Sequence, residues 1–296
     1  MTILVTGGTG FIGRHLIPKL KEYDPKIIVL TRNFKKAKQL WGDKIDLISD
    51  LKKIPSNLKL TGIVNLAGAP IDKRWSKAYQ RKLLQSRIHV TEACVSFIKR
   101  LDEKPAWFIS GSAIGYYGAQ GNDPLTEQSD PHQDFLHVLC KAWEEKALEA
   151  KKMGVRVCLS RTGVVLGKGG GALSRLRPLF SLGFGGFLGS GKQWFSWIHR
   201  EDMVRALIFL MQSPDLEGPF NLTSPNPVTN LDFTKTFGKV LKRPTYLSIP
   251  SWLIRLLFGK MGDLLLIKGQ RVIPKKLLEA GFEFKYPLLE EALINP

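Results

Sequence analysis

The sequence has 296 residues, of which 44% are hydrophobic and 24% charged, so it can bury a full core and is not expected to be disordered. It has no run of the roughly 20 apolar residues that a membrane span requires, and its first apolar run starts too early for a secretory leader. We therefore expect a cytoplasmic protein without membrane attachment. The net charge of +18 is dispersed rather than collected in blocks, which indicates a basic surface that attracts an anionic dinucleotide, and no nucleic-acid partner is expected.

Strand-like and helix-like segments alternate through the first half of the chain. Residues 2–6 are apolar and β-branched, glycines interrupt residues 7–13, and apolar side chains recur at helical spacing over residues 11–21. Because strands that alternate with helices form a parallel sheet covered on both faces, the sequence predicts an α/β, Rossmann-type doubly wound fold. The further predicted strands are 27–30, 62–66, 106–110 and 155–160, and the further predicted helices are 35–40, 81–99 and 135–152.

The alternation ends at Gly163, and the rest of the chain is predicted to form a smaller lobe. Charges and glycines interrupt the apolar stretch 252–267, which favours two short packed helices over one helix lying on a membrane surface. The predicted division is a Rossmann domain over 1–163, to which 192–222 return, and a C-terminal substrate-binding lobe formed by 164–191 and 223–296.

The glycine-rich stretch 167–191 has two interpretations. Glycine raises backbone freedom, which favours a mobile cover over a substrate cleft, with weak hydrogen-exchange protection that a ligand increases. The alternative is a rigid loop packed through Leu173, Leu176, Phe180 and Phe187. We expect the mobile cover.

The first predicted strand runs into VTGGTGFIG, which has the spacing of a dinucleotide-binding turn. Gly7 permits a tight turn, Gly10 lets the backbone approach a pyrophosphate, and Gly13 lets the helix pack on the strand. The N-terminus of the helix then faces the phosphates. The residues predicted to bind the cofactor here are Gly7, Thr9, Gly10, Phe11, Ile12 and Gly13.

The end of the second predicted strand should contact the adenosine ribose of the cofactor. An acidic residue there binds the ribose hydroxyls of NAD, whereas this sequence has Thr31 and then Arg32. A guanidinium suits a 2′-phosphate. The sequence therefore predicts NADP(H), the alternative being that Arg32 is an ordinary basic surface residue.

Further motifs give the chain a family resemblance: NLAG (65–68), SGSAIGYYG (110–118), and the later blocks RTGVVLGKGGGAL, GSGKQWFSWIHREDMV and GQRVIPKKLLEAGFEFKYP. With the glycine turn, they resemble extended short-chain dehydrogenase/reductases, and most closely the atypical epimerase-like family labelled nucleoside-diphosphate-sugar epimerases. The resemblance covers nearly the whole chain. It implies that Asn65, Leu66, Ala67 and Gly68 line the cofactor and that Arg87 is in position to reach the pyrophosphate or the active centre.

Relatives of this kind use a Ser and a YxxxK pair, in which Tyr moves the substrate proton, Lys lowers the pKa of Tyr, and Ser orients the substrate oxygen. Ser112 matches the Ser and Lys141 the Lys, but His137 stands where the Tyr is expected, one helical turn earlier. An imidazole with a pKa near ~6.5 exchanges protons at neutral pH, so His137 is a candidate acid/base. The alternatives are that His137 has no catalytic role and that Tyr116 is the acid.

Two functions fit this pattern. One is an NADP(H)-binding, epimerase-like oxidoreductase that acts on a small polar substrate such as a nucleotide sugar, and the other is a catalytically degenerate NADPH-binding sensor. The aromatic residues between Trp194 and Asp202 are candidates for stacking on a base or sugar, or else belong to the core. The three cysteines and His199 lack ligand spacing, so no metal is expected.

Overall fold

The computed structural model describes residues 1–23 and 25–296. The strands are β1 (Thr2–Thr6), β2 (Lys26–Leu30), β3 (Asp46–Ile48), β4 (Gly62–Asn65), β5 (Trp107–Ala113), β6 (Arg156–Thr162), β7 (Val164–Leu166), β8 (Gly186–Leu188), β9 (Trp194–Phe195), β10 (Trp197–His199), β11 (Gly218–Leu222), β12 (Val228–Thr229) and β13 (Leu247–Ile249).

The α-helices are α1 (Gly13–Lys21), α2 (Phe34–Trp41), α3 (Lys77–Arg100), α4 (Phe135–Leu148), α5 (Gly171–Ser181), α6 (Arg200–Gln212), α7 (Asn230–Leu241), α8 (Ser251–Phe258), α9 (Lys260–Gly262), α10 (Lys275–Glu279) and α11 (Leu289–Ile294). Short 3₁₀ turns cover Leu51–Lys53, Ile114–Tyr117 and Glu149–Met153, and a π-helical turn covers Asp263–Ile267.

Seven strands form one parallel sheet in the order β3-β2-β1-β4-β5-β6-β11. The strand order reverses between β1 and β4. At such a reversal the carboxyl ends of the strands leave a crevice in which open α/β sheets bind their ligands. The predicted doubly wound Rossmann fold is confirmed.

Both faces of this sheet carry apolar side chains, because each face is covered by helices. On one face Leu16 and Leu20 of α1 pack with Leu207 of α6. On the other face Phe97 of α3 packs with Phe108 of β5. Because these strands pair in parallel, the carboxyl ends of β1, β2, β4 and β5 meet at one edge.

The stretch 167–191 differs from the mobile loop expected for it. It forms α5 and β8, and Leu173 and Phe180 are buried with Phe233 and Phe237 of α7. The apolar side chains of α5 therefore pack the stretch against α7 despite its glycines. The second interpretation, a packed segment, describes this part of the chain.

The C-terminal part of the chain contacts the large sheet. Leu277 and Phe282 pack in the same cluster as α1 and α6, and β11 is the edge strand beside β6. The stretch 252–267 divides at Gly259, whose φ is +60°, into α8 and the short α9 with its π-helical turn. Across residues 1–23 and 25–296, no helix is long and apolar enough to cross a membrane.

Candidate functional site

The glycine turn between β1 and α1 has the geometry expected of a phosphate-binding loop. Gly7 has a φ of +69°, and a Cβ there would lie 2.6 Å from the Leu66 carbonyl, so only glycine fits. A Cβ on Gly13 would lie 2.6 Å from the backbone of Gly8, which explains the close packing of helix on turn. A Cβ on Gly10 would meet only the Gly7 carbonyl oxygen, at 3.0 Å. The other side of Gly10 is open to a ligand.

Three successive backbone N–H groups are free at this turn. Gly10 donates to the carbonyl of Gly7 at 2.9 Å and Arg14 donates to that of Gly10 at 3.1 Å. Within the part of the chain that the structure describes, the N–H groups of Phe11, Ile12 and Gly13 have no acceptor, and no side chain caps α1. Free N–H groups at a helix N-terminus form an anion site.

The aromatic ring of Phe11 connects the glycine turn to the loop that precedes α5. A Cβ on Gly171 would lie 2.8 Å from this ring, so the loop glycines pack directly on it. Arg14 donates to the Gly169 carbonyl at 2.6 Å, and Arg200 donates to the Lys168 carbonyl at 2.6 Å. The loop is thereby held over the start of α1.

Thr31 and Arg32 follow β2 at the same edge of the sheet. Thr31 is buried, its N–H donates to the Ile48 carbonyl at 2.8 Å, and its hydroxyl accepts from Asn33 at 3.1 Å. Asn33 in turn caps α2 by accepting from Lys36 at 2.9 Å. The turn is therefore rigid, while the Arg32 side chain is exposed. These contacts leave the guanidinium available to an anionic ligand.

The side chain of Asn65 is fully buried and engaged within the protein. It accepts from the Thr6 hydroxyl at 2.6 Å and donates to the Thr91 hydroxyl at 2.8 Å. The N–H of Ala67 donates to the same Thr6 hydroxyl at 3.3 Å. Asn65 thus holds the ends of β1 and β4 together, while Leu66, Ala67 and Gly68 are the parts of NLAG with exposed surface.

Arg87 of α3 packs against the NLAG turn and holds it in place. Its guanidinium donates to the Ala69 carbonyl at 3.3 Å and to the Leu83 carbonyl at 3.0 Å, and a Cβ on Gly68 would lie 3.2 Å from its Cζ. It also lies over the ring of Trp143 at 5.3 Å. Burial lowers the pKa of Arg87. These contacts make Arg87 a support of the turn.

Ser112 belongs to a buried ionic network that the sequence did not reveal. Its hydroxyl donates to Oε1 of Glu144 at 2.6 Å. Arg161 of β6 binds the same carboxylate through both oxygens, with Nε at 2.8 Å and Nη2 at 2.9 Å. All three residues are at least 95% buried. The hydroxyl hydrogen of Ser112 is therefore donated to Glu144, and only the lone pairs of the Ser112 oxygen remain free to accept a hydrogen bond.

The network continues from Arg161 toward the C-terminal part of the chain. Arg161 donates to the Tyr117 hydroxyl at 3.1 Å, and this hydroxyl donates to Asn221 of β11 at 2.6 Å. Asn221 also donates to the Ile273 carbonyl at 3.0 Å. Burial raises the pKa of Tyr117 to about 12 although the charge of Arg161 opposes it. Burial alone would lower the pKa of Arg161, but the hydrogen bonds and charge of Glu144 raise it.

His137 lies at the start of α4 and contacts the turn that follows β5. Its side chain is buried, with Nδ1 2.6 Å from the Tyr116 carbonyl oxygen and the two rings 5.1 Å apart. Because a carbonyl oxygen only accepts, Nδ1 carries the hydrogen, and in the neutral ring Nε2 is the acceptor. The guanidinium of Arg161 lies over the Tyr116 ring, with Cζ 3.4 Å from the ring centroid.

Lys141 is not brought into contact with Ser112. Its side chain is 57% exposed, and its Nζ lies 4.0 Å from Glu145 on the outer side of α4. The inner side of the helix carries Leu136 and Cys140, both buried. Burial raises the pKa of Cys140 to about 12, so the thiol is neutral at physiological pH. The structure therefore brings Ser112, Tyr116 and His137 to one end of β5 and α4, and leaves Lys141 facing solvent.

Comparison with known proteins places this site in a family. Residues 3–222 match the NAD dependent epimerase/dehydratase family. The chain belongs to this family. Residues 249–295 additionally match a domain of unknown function, DUF1731. The predicted resemblance to extended, epimerase-like dehydrogenase/reductases is confirmed.

Several family members resemble the chain over almost its whole length. It is 41% identical over 301 residues to an epimerase family protein, the chloroplastic SDR39U1 homolog of Arabidopsis thaliana, covering 99% of this chain and 86% of the relative. It is 36% identical to epimerase family protein YfhF of Bacillus subtilis, covering 99% and 97%. The crystal structure of human epimerase family protein SDR39U1 with NADPH superposes with a TM-score of 0.89 at 30% identity, covering 99% of this chain and 98% of that one.

Sequence reasoning missed Glu144, Arg161 and Tyr117 in this epimerase family member. One signal was available, because Arg161 is the one charged residue in VCLSRT (157–162), and a charge in an interior strand needs a buried partner. That partner, Glu144, lies 17 residues away on another element. The sequence alone gave no reason to choose it over Glu145.

Proposed function

We propose that this protein binds NADPH across the crevice at the end of the large sheet and exchanges hydride with a small polar substrate. The observation that carries the cofactor proposal is the row of free N–H groups at Phe11, Ile12 and Gly13, reached past the open side of Gly10. The human relative crystallised with NADPH supports it.

Preference for NADPH over NADH is assigned to Arg32, whose exposed guanidinium follows β2 where the adenosine ribose would lie. The Arg32→Asp variant should weaken NADPH binding by about 10- to 100-fold, since a hydrogen bond to a charged group contributes ~1.5–3 kcal/mol. Isothermal titration with NADPH and NADH measures both affinities. Lys152→Asp makes the same charge change on an exposed turn and is the control. An unchanged ratio of affinities in Arg32→Asp would remove Arg32 from the site.

The chemical step is assigned to His137: in oxidation Nε2 takes the proton of the substrate hydroxyl while the carbon bearing it transfers hydride to NADP+, and in reduction by NADPH the protonated Nε2 returns that proton to the carbonyl oxygen. The Ser112 lone pairs are assigned as the acceptors for a second substrate hydroxyl. Support comes from the hydrogen bond of Nδ1 to Tyr116, which fixes the tautomer of the neutral ring. The His137→Ala variant should lower kcat by roughly 10²- to 10⁴-fold with NADPH affinity retained. Full activity in that variant would transfer the acid/base role to Tyr116, which Tyr116→Phe would then test.

One observation favours the second candidate, an NADPH-binding sensor without turnover. Lys141 faces solvent, and the inner side of α4 presents Leu136 and Cys140, neither of which exchanges protons at neutral pH. The two functions are separated by following the fluorescence of bound NADPH while pools of small polar metabolites, including nucleotide sugars, are added. Oxidation that is absent in the Gly10→Val variant supports the enzyme. Stable occupancy with every pool supports the sensor.

A further inference from the structure

The C-terminal lobe exposes a set of large apolar side chains on neighbouring elements, here called the apolar patch. They come from the end of α5, from β13 with the residue before it, and from α8. The apolar patch consists of Leu179, Leu182, Phe184, Tyr246, Leu247, Trp252, Leu256, Leu257 and Phe258.

The strand pairing places the elements that carry these residues next to one another. β8 pairs in parallel with β13, and Gly186 is the partner of Leu247. Phe184 precedes Gly186 and Tyr246 precedes Leu247, so the two aromatic side chains lie at the same end of the strand pair. α8 begins two residues after β13, and a Cβ on Gly189 would lie 2.6 Å from the hydroxyl of Ser251 at its first position. The elements that carry the three parts of the apolar patch are therefore neighbours.

The apolar patch has the size of the largest apolar patch on an ordinary monomer. Phe184 is 63% exposed, Tyr246 93% and Trp252 65%. At about 150–250 Å² for each aromatic side chain, these three alone expose roughly 400 Å². The largest patch on an ordinary monomer is about 300–600 Å² and often functional. Along α8 only Ile254 is buried, so most of this helix faces outward.

The charges around the apolar patch are mostly basic. Residues 150–200 contain no Asp or Glu, and neither do residues 233–262, whereas both stretches contain Lys and Arg. Arg177, Lys242 and Arg243 are exposed close to the apolar residues in sequence. Arg175 and Arg255 pair with Asp72 and Asp263 respectively. The rim therefore keeps a net positive charge.

We propose that the apolar patch binds the surface of a membrane that contains anionic lipids. Apolar side chains insert at the boundary between headgroups and acyl chains, and basic side chains around them bind anionic headgroups. A second copy of the chain fits less well, because its own basic rim would face the first. This attachment revises the sequence-based expectation of no membrane partner, and it is peripheral, since no described helix crosses a bilayer.

The test uses the full chain loaded with NADPH and vesicles separated by flotation. One set of vesicles is phosphatidylcholine, and the other contains about one third phosphatidylglycerol. We expect binding to the second set only, weakened by high salt. The Trp252→Ser/Leu256→Ser variant should bind the anionic vesicles at least about 10-fold more weakly than the parent chain. Tyr23→Ser/Leu278→Ser removes an aromatic and a leucine that are exposed elsewhere, and should bind like the parent.

Retained NADPH affinity in both double variants establishes that they are folded. The proposal is overturned if the parent chain does not bind the anionic vesicles. It is also overturned if the two double variants lose vesicle binding to the same extent. Sedimentation velocity tests whether a second copy of the chain, rather than a membrane, covers the apolar patch. Dimerisation of the parent that Trp252→Ser/Leu256→Ser abolishes would assign the apolar patch to a second copy of the chain and likewise overturn the proposal.

Discussion

Replacing Glu144 with Gln isolates the positive charge of Arg161 in the interior. The side chains of this pair are 6% and 5% exposed, and the carboxylate accepts two hydrogen bonds from Arg161 and one from Ser112. Removing one partner of a buried ion pair costs about 3–5 kcal/mol, because the other charge stays desolvated. We therefore expect Glu144→Gln to lose about that much free energy of unfolding.

Urea unfolding followed by tryptophan fluorescence measures this loss. With an m-value of ~3 kcal/mol/M, the midpoint should fall by roughly 1–1.7 M. The Glu144→Gln/Arg161→Met double variant should recover at least half of it, since neither charge remains buried. Glu290→Gln, which breaks the exposed pair with Lys239 at 2.8 Å, should cost at most about 1 kcal/mol. A Glu144→Gln midpoint equal to that of Glu290→Gln would refute the assignment of a buried ionic network.

Three further predictions follow from the described contacts. Gly10→Val should abolish NADPH binding in titration calorimetry while the protein stays folded, whereas Gly13→Val should also lower the Tm because its side chain meets the backbone of Gly8. Burial, with the charges of Arg200 and Arg14, lowers the pKa of His15 to about 4. Below pH ~6.5 the His15 imidazole is protonated in the unfolded state, whereas in the folded state it stays neutral until about pH 4. The free energy of unfolding therefore falls as the pH is lowered across this range. The accompanying fall in Tm should be smaller in the His15→Asn variant. Backbone amides in the middle of α5 should exchange hydrogen slowly without ligand, since Leu173 and Phe180 are buried. Rapid hydrogen exchange there would support the mobile cover instead.

Much of the Rossmann sheet could be predicted from local pattern. The predicted strands at 2–6, 27–30, 62–66, 106–110 and 155–160 all correspond to strands of the large sheet. β3 and β11 were missed for a physical reason. β11 has the sequence GPFNL, whose glycine and proline indicate a turn, and pairing with the long strand β6 makes it extended. Such tertiary pairing leaves no local signal.

The candidate site was predicted unevenly for a similar reason. The glycine turn is a local motif, so Gly7, Gly10 and Gly13 were identified from spacing alone. Lys141 was matched to the Lys of the YxxxK pair, and His137 was then selected because it stands four residues earlier, which is correct for one face of a helix. Which face turns inward depends on the packing of Cys140 and Glu144 against other elements, and this was not visible in the sequence.

The arginine contacts that hold the loop before α5 over the start of α1 have a thermodynamic consequence. Arg14 and Arg200 tie the cofactor turn of one part of the chain to the loop that leads into the lobe. Linkage between two sites is reciprocal, so a ligand that displaces this loop and changes NADPH affinity by some factor has its own affinity changed by NADPH by the same factor. A ligand that displaces the loop and a nucleotide at the sheet would then each respond to the concentration of the other through two guanidinium groups.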